Sequence, residues 1–112
     1  MKNVLIVVAG GERRAVELRW VRDICPLPPL TPVPTAPPPI AGVVNFRGAI
    51  VPVLSVVPGR APRSGDSLVL IDVDGVRAGL LADRIDAVKT VAEDDEEQVP
   101  LLDPPGLLKP FS

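Results

Sequence analysis

The chain has 112 residues, 46% hydrophobic and only 3% aromatic, which suits one domain with a core of aliphatic side chains. Its 12 basic and 14 acidic residues give a net charge of −2, which provides no electrostatic case for binding nucleic acid. The chain has no histidine and only one cysteine, Cys25. This excludes an internal disulfide and removes the commonest general base and metal ligand, so no cofactor is expected.

No apolar segment of the sequence is long enough to span a membrane. The first apolar run, residues 4–9, has six residues, whereas a transmembrane helix needs about 20 and the core of a signal peptide about 7–15. We therefore expect a cytoplasmic protein without direct membrane insertion. We expect the chain to begin almost on its first strand, with no leader, and a single cysteine fits a reducing compartment.

The beginning of the chain has the pattern of a β-hairpin. The first apolar run ends at a pair of glycines, and Val16, Leu18 and Trp20 then alternate with charged residues. This alternation places the three apolar side chains on one face of a strand. It breaks at residues 20–21, where we expect a bend or a helical turn.

Residues 26–39 contain eight prolines, which exclude a regular helix and a central strand. Two interpretations remain. The segment is either a PxxP-type ligand for the aromatic groove of another protein or a stiff, extended connection between strands. The connection is favoured, because no basic residue lies in the segment to orient such a ligand.

Two further hairpins are predicted. The first covers residues 42–55, where apolar β-formers flank the polar tip Asn45-Phe46-Arg47-Gly48. The second joins strands at 68–73 and 76–82 through the tight turn Asp74-Gly75. After it, residues 83–86 are expected to form one helical turn and residues 87–91 another strand.

The end of the chain is less regular. The segment 92–98 includes five consecutive acids, which indicate a solvated loop rather than a metal cluster. A short apolar run follows at 99–102, and Leu107-Leu108 indicates the stub of a terminal helix. Six to eight short strands, with no βαβ alternation, predict an all-β, antiparallel barrel or sandwich in a single domain over 1–112.

Two aspartates offer an arrangement that would suit acid–base chemistry. Asp72 and Asp74 are two residues apart on a predicted strand, and paired carboxylates catalyse proton transfer when burial separates their pKa values. Asp74, however, lies in an Asp-Gly turn, where its role is conformational, and a calcium loop needs a longer spacing. An enzyme that uses Asp72, Asp83 or Asp86 remains an alternative, although no cluster of convergent carboxylates is visible in the sequence.

Residues 40–54 resemble the signature of the CheW family, the adaptor proteins of bacterial chemotaxis. The family pattern is Ile-x-Gly-Val-x-Asn-Leu-Arg-Gly-x-Ile-Val-Pro-Val, and Phe46 replaces its leucine. The matching residues are Gly42, Val43, Asn45, Arg47, Gly48, Ile50, Val51, Pro52 and Val53. Residues 15–24 and 79–88, and the Leu-Leu-Asp block at 101–103 with Leu107-Leu108, are similar to further family blocks in the same order.

The resemblance implies a fold of two small antiparallel β-barrels, similar to SH3 barrels, packed side by side. It also implies a non-enzymatic adaptor that bridges a CheA-type histidine kinase and the cytoplasmic tip of a methyl-accepting chemotaxis receptor. Such a protein is recruited to the inner membrane through its receptors. A hydrophobic groove between the barrels holds the helical receptor tip, and another apolar edge meets the kinase.

The resemblance also assigns candidate site residues. Val21, Ile85 and Val88 stand where the family has groove contacts, with an ordinary core role as the alternative for each. Asp23 and Arg47 stand where the family has an acid opposed to an arginine, and we expect a hydrogen-bonded ion pair that fixes the hairpin tip. The candidate partner-binding residues are Val21, Asp23, Gly42, Asn45, Arg47, Ile85 and Val88.

The chain departs from the family pattern at Ser55, where an aspartate is usual, and in its spacing near the end. Only ten residues, 92–101, separate the strand that contains Val88 from the Leu-Leu-Asp block, whereas the family has room there for a further hairpin. We therefore expect the second barrel to be incomplete. Its open strand edge would be closed by self-association or by a partner.

Two interpretations of function follow from the resemblance. The first is a signalling adaptor that couples chemoreceptors to the kinase. The alternative is a CheW-like scaffold in another pathway that has lost its coupling to the kinase or the receptor.

Overall fold

Hairpins dominate the structure, a computed structural model that describes residues 2–34, 40–57, 60–91 and 99–109. Within these ranges the fold is nearly all-β, with nine strands, a 3-10 turn at Leu18–Trp20 and the helix α1 (Pro104–Leu108). The strands are β1 (Lys2–Ala9), β2 (Glu12–Glu17), β3 (Val21–Pro26), β4 (Leu30–Thr31), β5 (Ile40–Phe46), β6 (Ala49–Ser55), β7 (Ser67–Val73), β8 (Val76–Ala82) and β9 (Arg84–Val91).

The smaller of two sheets has three strands in the order β2-β1-β9, and both pairs are antiparallel. Its central strand β1 is buried over six consecutive residues, Val4–Ala9. This continuous apolar run is needed because both faces of β1 are covered. Leu5 and Val7 join the core shared with the larger sheet, whereas Val4 and Ile6 pack in a separate cluster on the other face.

The larger sheet has six strands in the order β3-β7-β8-β6-β5-β4. Its pairs are antiparallel except for β6 and β8, which run parallel through Val53↔Gly79 and the next two pairs. The antiparallel pairing expected from the sequence therefore has one exception, between β6 and β8. The tight β7–β8 hairpin turns β8 back along β7, and β8 then lies beside β6 in the same direction.

The six-stranded sheet is strongly curled. Arg47, at the tip between β5 and β6, forms an ion pair with Asp23 on β3, which is three or four strands away in the sheet order. In a flat sheet that separation would be roughly 14–19 Å. Arg47 reaches Asp23 only because the sheet curls, as in a small barrel, and this brings the hairpin tip close to β3.

Two clusters of aliphatic side chains form most of the core. The cluster between the sheets contains Leu5, Val7, Val16, Leu54, Val69, Ile71, Val73, Ala78, Leu80, Ala82 and Leu108. The cluster on the other face of the curled sheet contains Val44, Val51, Val53, Leu68, Leu70 and Leu81. A fully buried Val or Leu contributes about 1.5–3 kcal/mol, so stability depends on many modest contacts, as the scarcity of aromatic residues predicts.

The end of the chain closes one edge of the smaller sheet. The Ala15 N–H donates to the carbonyl of Pro100 (2.9 Å), and the Leu102 N–H donates to the carbonyl of Ala15 (2.8 Å), so residues 100–102 lie along the outer edge of β2. The opposite edge strand, β9, pairs with β1 alone within the described residues. No helix in those ranges is long and apolar enough to cross a bilayer.

Three local expectations differ from the structure. The helical turn predicted over 83–86 is wrong, because β9 begins at Arg84, opposite Val8 of β1. The helical turn expected at residues 20–21 lies earlier, at Leu18–Trp20, so Leu18 and Trp20 leave the strand although both still pack against the shared core. The proline-rich connection contributes the short edge strand β4. Its residues 35–39 and the acidic segment 92–98 lie outside the described residues.

Candidate functional site

The tip of the β5–β6 hairpin is a two-residue turn. Arg47 and Gly48 have φ angles of 51° and 87°, the positive values that such turns need at both central positions. The Asn45 side chain accepts a hydrogen bond from the Gly48 N–H (2.9 Å) and locks the turn. A non-glycine residue with positive φ is uncommon, so the tip presents the Arg47 side chain at a conformational cost.

Arg47 is held over the end of the curled sheet by two contacts. Its Nη2 lies 3.1 Å from Asp23 Oδ2, and its guanidinium carbon lies 4.9 Å from the centre of the Phe46 ring. The Arg47 side chain remains 79% exposed and the Asp23 side chain 31% exposed. An ion pair this exposed adds little to stability, so its main effect is to fix the orientation of a charged group at the surface.

Gly42, the glycine of the Ile-x-Gly signature start, is buried. A Cβ atom at this position would lie 2.5 Å from Leu30 Cδ2 and 2.6 Å from the carbonyl oxygen of Thr31. Glycine is therefore required so that β4 can pack directly on β5. Gly42 has no surface of its own, whereas Asn45 of the same hairpin is exposed at the tip.

A β-bulge in β3 separates two of the candidate residues. Val21 pairs with Ile71 and Asp23 pairs with Leu70, so Arg22 between them has no partner across the ladder. Paired residues share a face of the sheet and adjacent residues alternate. Val21 therefore faces the core between the sheets, whereas Asp23 lies on the opposite face with Leu70.

A second bulge, in β9, brings Ile85 and Val88 together. Val7 pairs with Ile85 and Leu5 pairs with Val88, which leaves Asp86 as the extra residue on β9. Because Leu5 and Val7 point to one face of β1, their partners share that face although they are three residues apart. Ile85 packs against the shared core, and Val88 is 61% exposed.

Val21 and Ile85 thus reach the rim of the same core from different sheets. Both are partly buried and pack against the cluster between the sheets, and Val88 lies exposed on the same face of β9 as Ile85. We call Val21, Ile85 and Val88 the apolar rim. Aliphatic side chains offer no acid, base or nucleophile, so the rim can act only by contact with another apolar surface.

The pKa of Cys25, the only thiol of the sequence, depends on the charges at the hairpin tip. Burial raises the pKa of the Cys25 thiol, the Asp23 carboxylate raises it further, and the Arg47 guanidinium lowers it. A raised pKa leaves little of the reactive thiolate. The described residues contain no histidine or other base arranged to activate this sulfur.

The three aspartates of the enzyme alternative lie in separate ion pairs with arginines. Asp72 contacts Arg22 and Arg77, Asp83 contacts Arg60 and Arg63, and Asp86 contacts Arg13. Asp74 is in the turn with a φ angle of 51°. Within the described ranges, no group of three or more carboxylate or cysteine side chains is placed to hold a metal ion.

Sequence reasoning missed the buried arginine between the sheets. The Arg60 side chain is 8% exposed, and its Nη2 lies 2.7 Å from Asp66 Oδ1, while its Nε donates to Asp83 Oδ1 (2.7 Å). The Arg60 hydrogen bond to Asp66 lowers the pKa of that carboxyl below its usual range. The pKa of Asp83 is lowered by hydrogen bonds from Gly11 and Arg60, which outweigh its burial. In the sequence, Arg60 is recognisable only as a charged residue outside the predicted strands.

A family model described as the CheW-like domain matches residues 3–110. The chain belongs to the CheW-like domain family. The match covers both sheets, the hairpin tip and the apolar rim, so the resemblance seen in the signature extends over almost the whole of this CheW-like domain.

Curated relatives carry the same family name. Chemotaxis protein CheW of Rhizobium meliloti (strain 1021) is 29% identical over 104 residues, which are 88% of this chain and 67% of that protein. Chemotaxis protein CheW of Treponema pallidum (strain Nichols) is 26% identical over 81% of this chain and 59% of its own. Probable chemotaxis protein CheW of Rhizobium etli is 30% identical over 81% and 62%. The CheW-like domain thus spans about two thirds of the length of these relatives.

The fold is also similar to a solved structure. The scaffolding protein TtCheW from Thermoanaerobacter tengcongensis superimposes with a TM-score of 0.72 and 22% identity, over 83% of this chain and 64% of that one. At this identity the likeness establishes the fold alone. It agrees with the two-sheet, nearly all-β architecture of this CheW-like domain.

Proposed function

We propose that this CheW-like domain is a non-catalytic adaptor that couples chemoreceptors to a CheA-type histidine kinase. The observation on which the proposal rests is the apolar rim: Val21 and Ile85 both pack, partly buried, against the core between the sheets, and Val88 is exposed on the same face of β9 as Ile85. Membership of a family whose curated relatives are named chemotaxis proteins supports the same role.

The apolar rim is the proposed site for the helical tip of a receptor. A helix packs in a groove through aliphatic side chains at successive turns. The junction of the sheets supplies such contacts from both sides, and Val88 offers exposed aliphatic surface next to them. Polar side chains of the receptor helix would remain in solvent.

The hairpin tip is the proposed contact for the kinase. Arg47 is exposed, conformationally fixed by its turn, and held in position by Asp23 and Phe46. A preorganised charge of this kind gives orientation and specificity to an interface more than raw affinity. Because the tip and the apolar rim involve opposite faces of β3, the two partners can bind at once, which an adaptor requires.

Such an adaptor acts in the cytoplasm and is recruited to the inner membrane through the receptors that it binds. The outer edge of β9, with one strand partner among the described residues, is the proposed place for self-association or for a further contact. The exposed Lys89 on this strand opposes unspecific pairing of the edge.

The test is a pull-down with a CheA-type kinase and a chemoreceptor cytoplasmic fragment from the same genome, separately and together. We expect the wild type to retain each partner and to bridge the two. Arg47→Asp should lose kinase retention while the protein stays folded, whereas Arg84→Asp, an exposed arginine away from the tip, should behave as the wild type. A wild type that retains neither partner would exclude the proposal and favour a scaffold of another pathway.

A further inference from the structure

A cleft beside the hairpin tip is lined by three arginines. It has a volume of about 210 Å³ and opens next to the Arg47–Asp23 pair. Its lining residues are Arg22, Asp23, Phe46, Arg47, Ala49, Leu70 and Arg77. The cleft therefore combines an apolar floor with three guanidinium groups and one carboxylate, that of Asp23, in a chain whose net charge is negative.

A buried carboxylate positions two of these arginines. The Asp72 side chain is only 8% exposed, and its Oδ2 lies 3.2 Å from Arg77 Nε and 3.7 Å from Arg22 Nε. Its other oxygen, Oδ1, accepts a hydrogen bond from the Gly75 N–H (2.9 Å), which fixes the carboxylate in the β7–β8 turn. Hydrogen bonds from Gly75 and Arg77 lower the pKa of Asp72 despite its burial, so it is ionised at neutral pH.

The arrangement leaves the ends of both guanidinium groups available. The closest approach of Arg22 and of Arg77 to Asp72 is through Nε, and within the described residues no hydrogen bond is made by their terminal Nη atoms. Their side chains are 66% and 58% exposed. The β-bulge leaves Arg22 without a pairing partner on β7. The Arg22 side chain therefore does not follow the regular alternation between the two faces of β3. Guanidinium groups whose Nη atoms donate no hydrogen bond within the protein match the geometry of a carboxylate.

The size and the floor of the cleft restrict the ligand. A volume of 210 Å³ is below the roughly 300 Å³ at which small-molecule sites begin, so one or two side chains fill it. Phe46, Leu70 and Ala49 favour an aliphatic group, whereas the arginines favour an anion. A segment of a protein partner with a glutamate or aspartate next to an aliphatic residue satisfies both requirements.

We infer that the cleft formed by Arg22, Arg77 and the hairpin tip binds an acidic–aliphatic segment of a protein partner, and that Asp72 positions the two arginines for this purpose. The inference deepens the proposed adaptor function and rests on it for the nature of the partner. The charge of the arginines selects the segment, and the apolar floor determines its register.

The test uses the full chain labelled for NMR, so that the arginine Nε–H and methyl signals are resolved, and two synthetic peptides. One peptide has the repeat Glu-Leu-Glu-Glu, and the other replaces each Glu by Gln. We expect the glutamate peptide to shift the Nε–H signals of Arg22 and Arg77 and the methyl signals of Leu70, with an affinity that falls as salt is added. The glutamine peptide should bind at least about tenfold more weakly.

Matched variants test the role of each arginine. Arg22→Gln and Arg77→Gln should each reduce affinity for the glutamate peptide by about twofold to fivefold, whereas Arg84→Gln on β9 should leave it unchanged. Asp72→Asn should broaden or shift the Arg22 and Arg77 signals before peptide is added. If the role of Asp72 were confined to the turn, this substitution would leave the arginine signals unchanged. Asp72→Asn also disturbs the turn. If the Asp72→Asn protein does not fold, the two arginine variants still test the inference.

Three outcomes would overturn the inference. They are equal binding of the two peptides, unchanged affinity in Arg22→Gln and Arg77→Gln, and equal shifts on addition of inorganic phosphate, which would indicate an unspecific anion site. The peptide titration needs neither kinase nor receptor. Failure of the inference is therefore distinguishable from failure of the adaptor function, which the pull-down with those proteins tests.

Discussion

Val21 and Asp23, two residues apart on β3, lie on opposite faces of the sheet because Arg22 between them is bulged. Without the bulge, strand alternation would place both side chains on one face. One strand therefore contributes an aliphatic side chain to the apolar rim and a carboxylate to the hairpin tip. This separation gives the domain two distinct surfaces, which the proposed adaptor function assigns to two partners.

The reactivity of Cys25 should report the charge pair at the tip. Arg47 lowers the pKa of the Cys25 thiol and Asp23 raises it. Arg47→Ala should therefore raise that pKa and slow the reaction with a disulfide reagent at pH 8, whereas Asp23→Asn should lower it and speed the reaction. Rates that change in the same direction in both variants would show that access to the thiol, rather than the charge pair, controls its reactivity.

Arg60 should contribute strongly to stability. It is buried between Asp66 and Asp83, and Asp83 also accepts a hydrogen bond from the Gly11 N–H in the turn of the smaller sheet. Arg60→Met leaves buried carboxylates without their partner and should lower the free energy of unfolding by about 3–5 kcal/mol. Urea denaturation measures this loss.

Arg63→Met is the matched control for that measurement. The Arg63 side chain is 64% exposed and contacts the same carboxylate of Asp83 at 3.3 Å. Its loss should cost less than about 1 kcal/mol. Equal losses in the two variants would contradict the importance of burial at Arg60.

The same carboxylates predict how stability depends on pH. The folded pKa values of Asp66 and Asp83 are lower than usual, so the folded state binds fewer protons than the unfolded state when these groups titrate. Their contribution is complete above the unfolded value of about 3.9 and is lost as the pH falls through the lower folded values. The urea concentration at the midpoint of unfolding should decrease as the pH falls below about 4, and it should decrease less steeply in Arg60→Met than in the wild type.

The hairpins were predictable because local residue types determine them. Asn45 and Gly48 in one turn, and Asp72 and Gly75 in the next, form the same side-chain to backbone hydrogen bond around a residue with a φ angle of 51°. Such turns depend on a few neighbouring residues, which a sequence displays directly. The resemblance to the family added one long-range expectation, an ion pair between Asp23 and Arg47, which no local pattern displays.

The bulges and the buried arginine were not predictable from the sequence. The bulge at Asp86 follows from pairing with β1, which is almost eighty residues away in the chain, and the helical turn expected at 83–86 ignored that pairing. The roles of Arg22, Arg60 and Arg77 depend on carboxylates supplied by other segments. Long-range pairing overrides local preference at such positions.

The edge of β9 predicts weak self-association. If this edge pairs with another copy, the average mass in sedimentation equilibrium should rise with concentration across the micromolar range. Val88→Lys adds a charge to that edge and should keep the protein monomeric without loss of stability, since Val88 is exposed. A wild type that is strictly monomeric throughout would exclude self-association, although not another partner at this edge.

The most direct test of the account titrates a receptor fragment and a CheA-type kinase separately against Val88→Ser and Arg47→Asp, by isothermal titration calorimetry. Thr90→Ser, at a neighbouring exposed position on β9, and Arg84→Asp serve as controls. We predict that Val88→Ser weakens receptor binding about tenfold and leaves kinase binding unchanged, and that Arg47→Asp does the reverse. Normal binding of both partners by both variants would contradict the claim that the apolar rim and the hairpin tip are the two working surfaces.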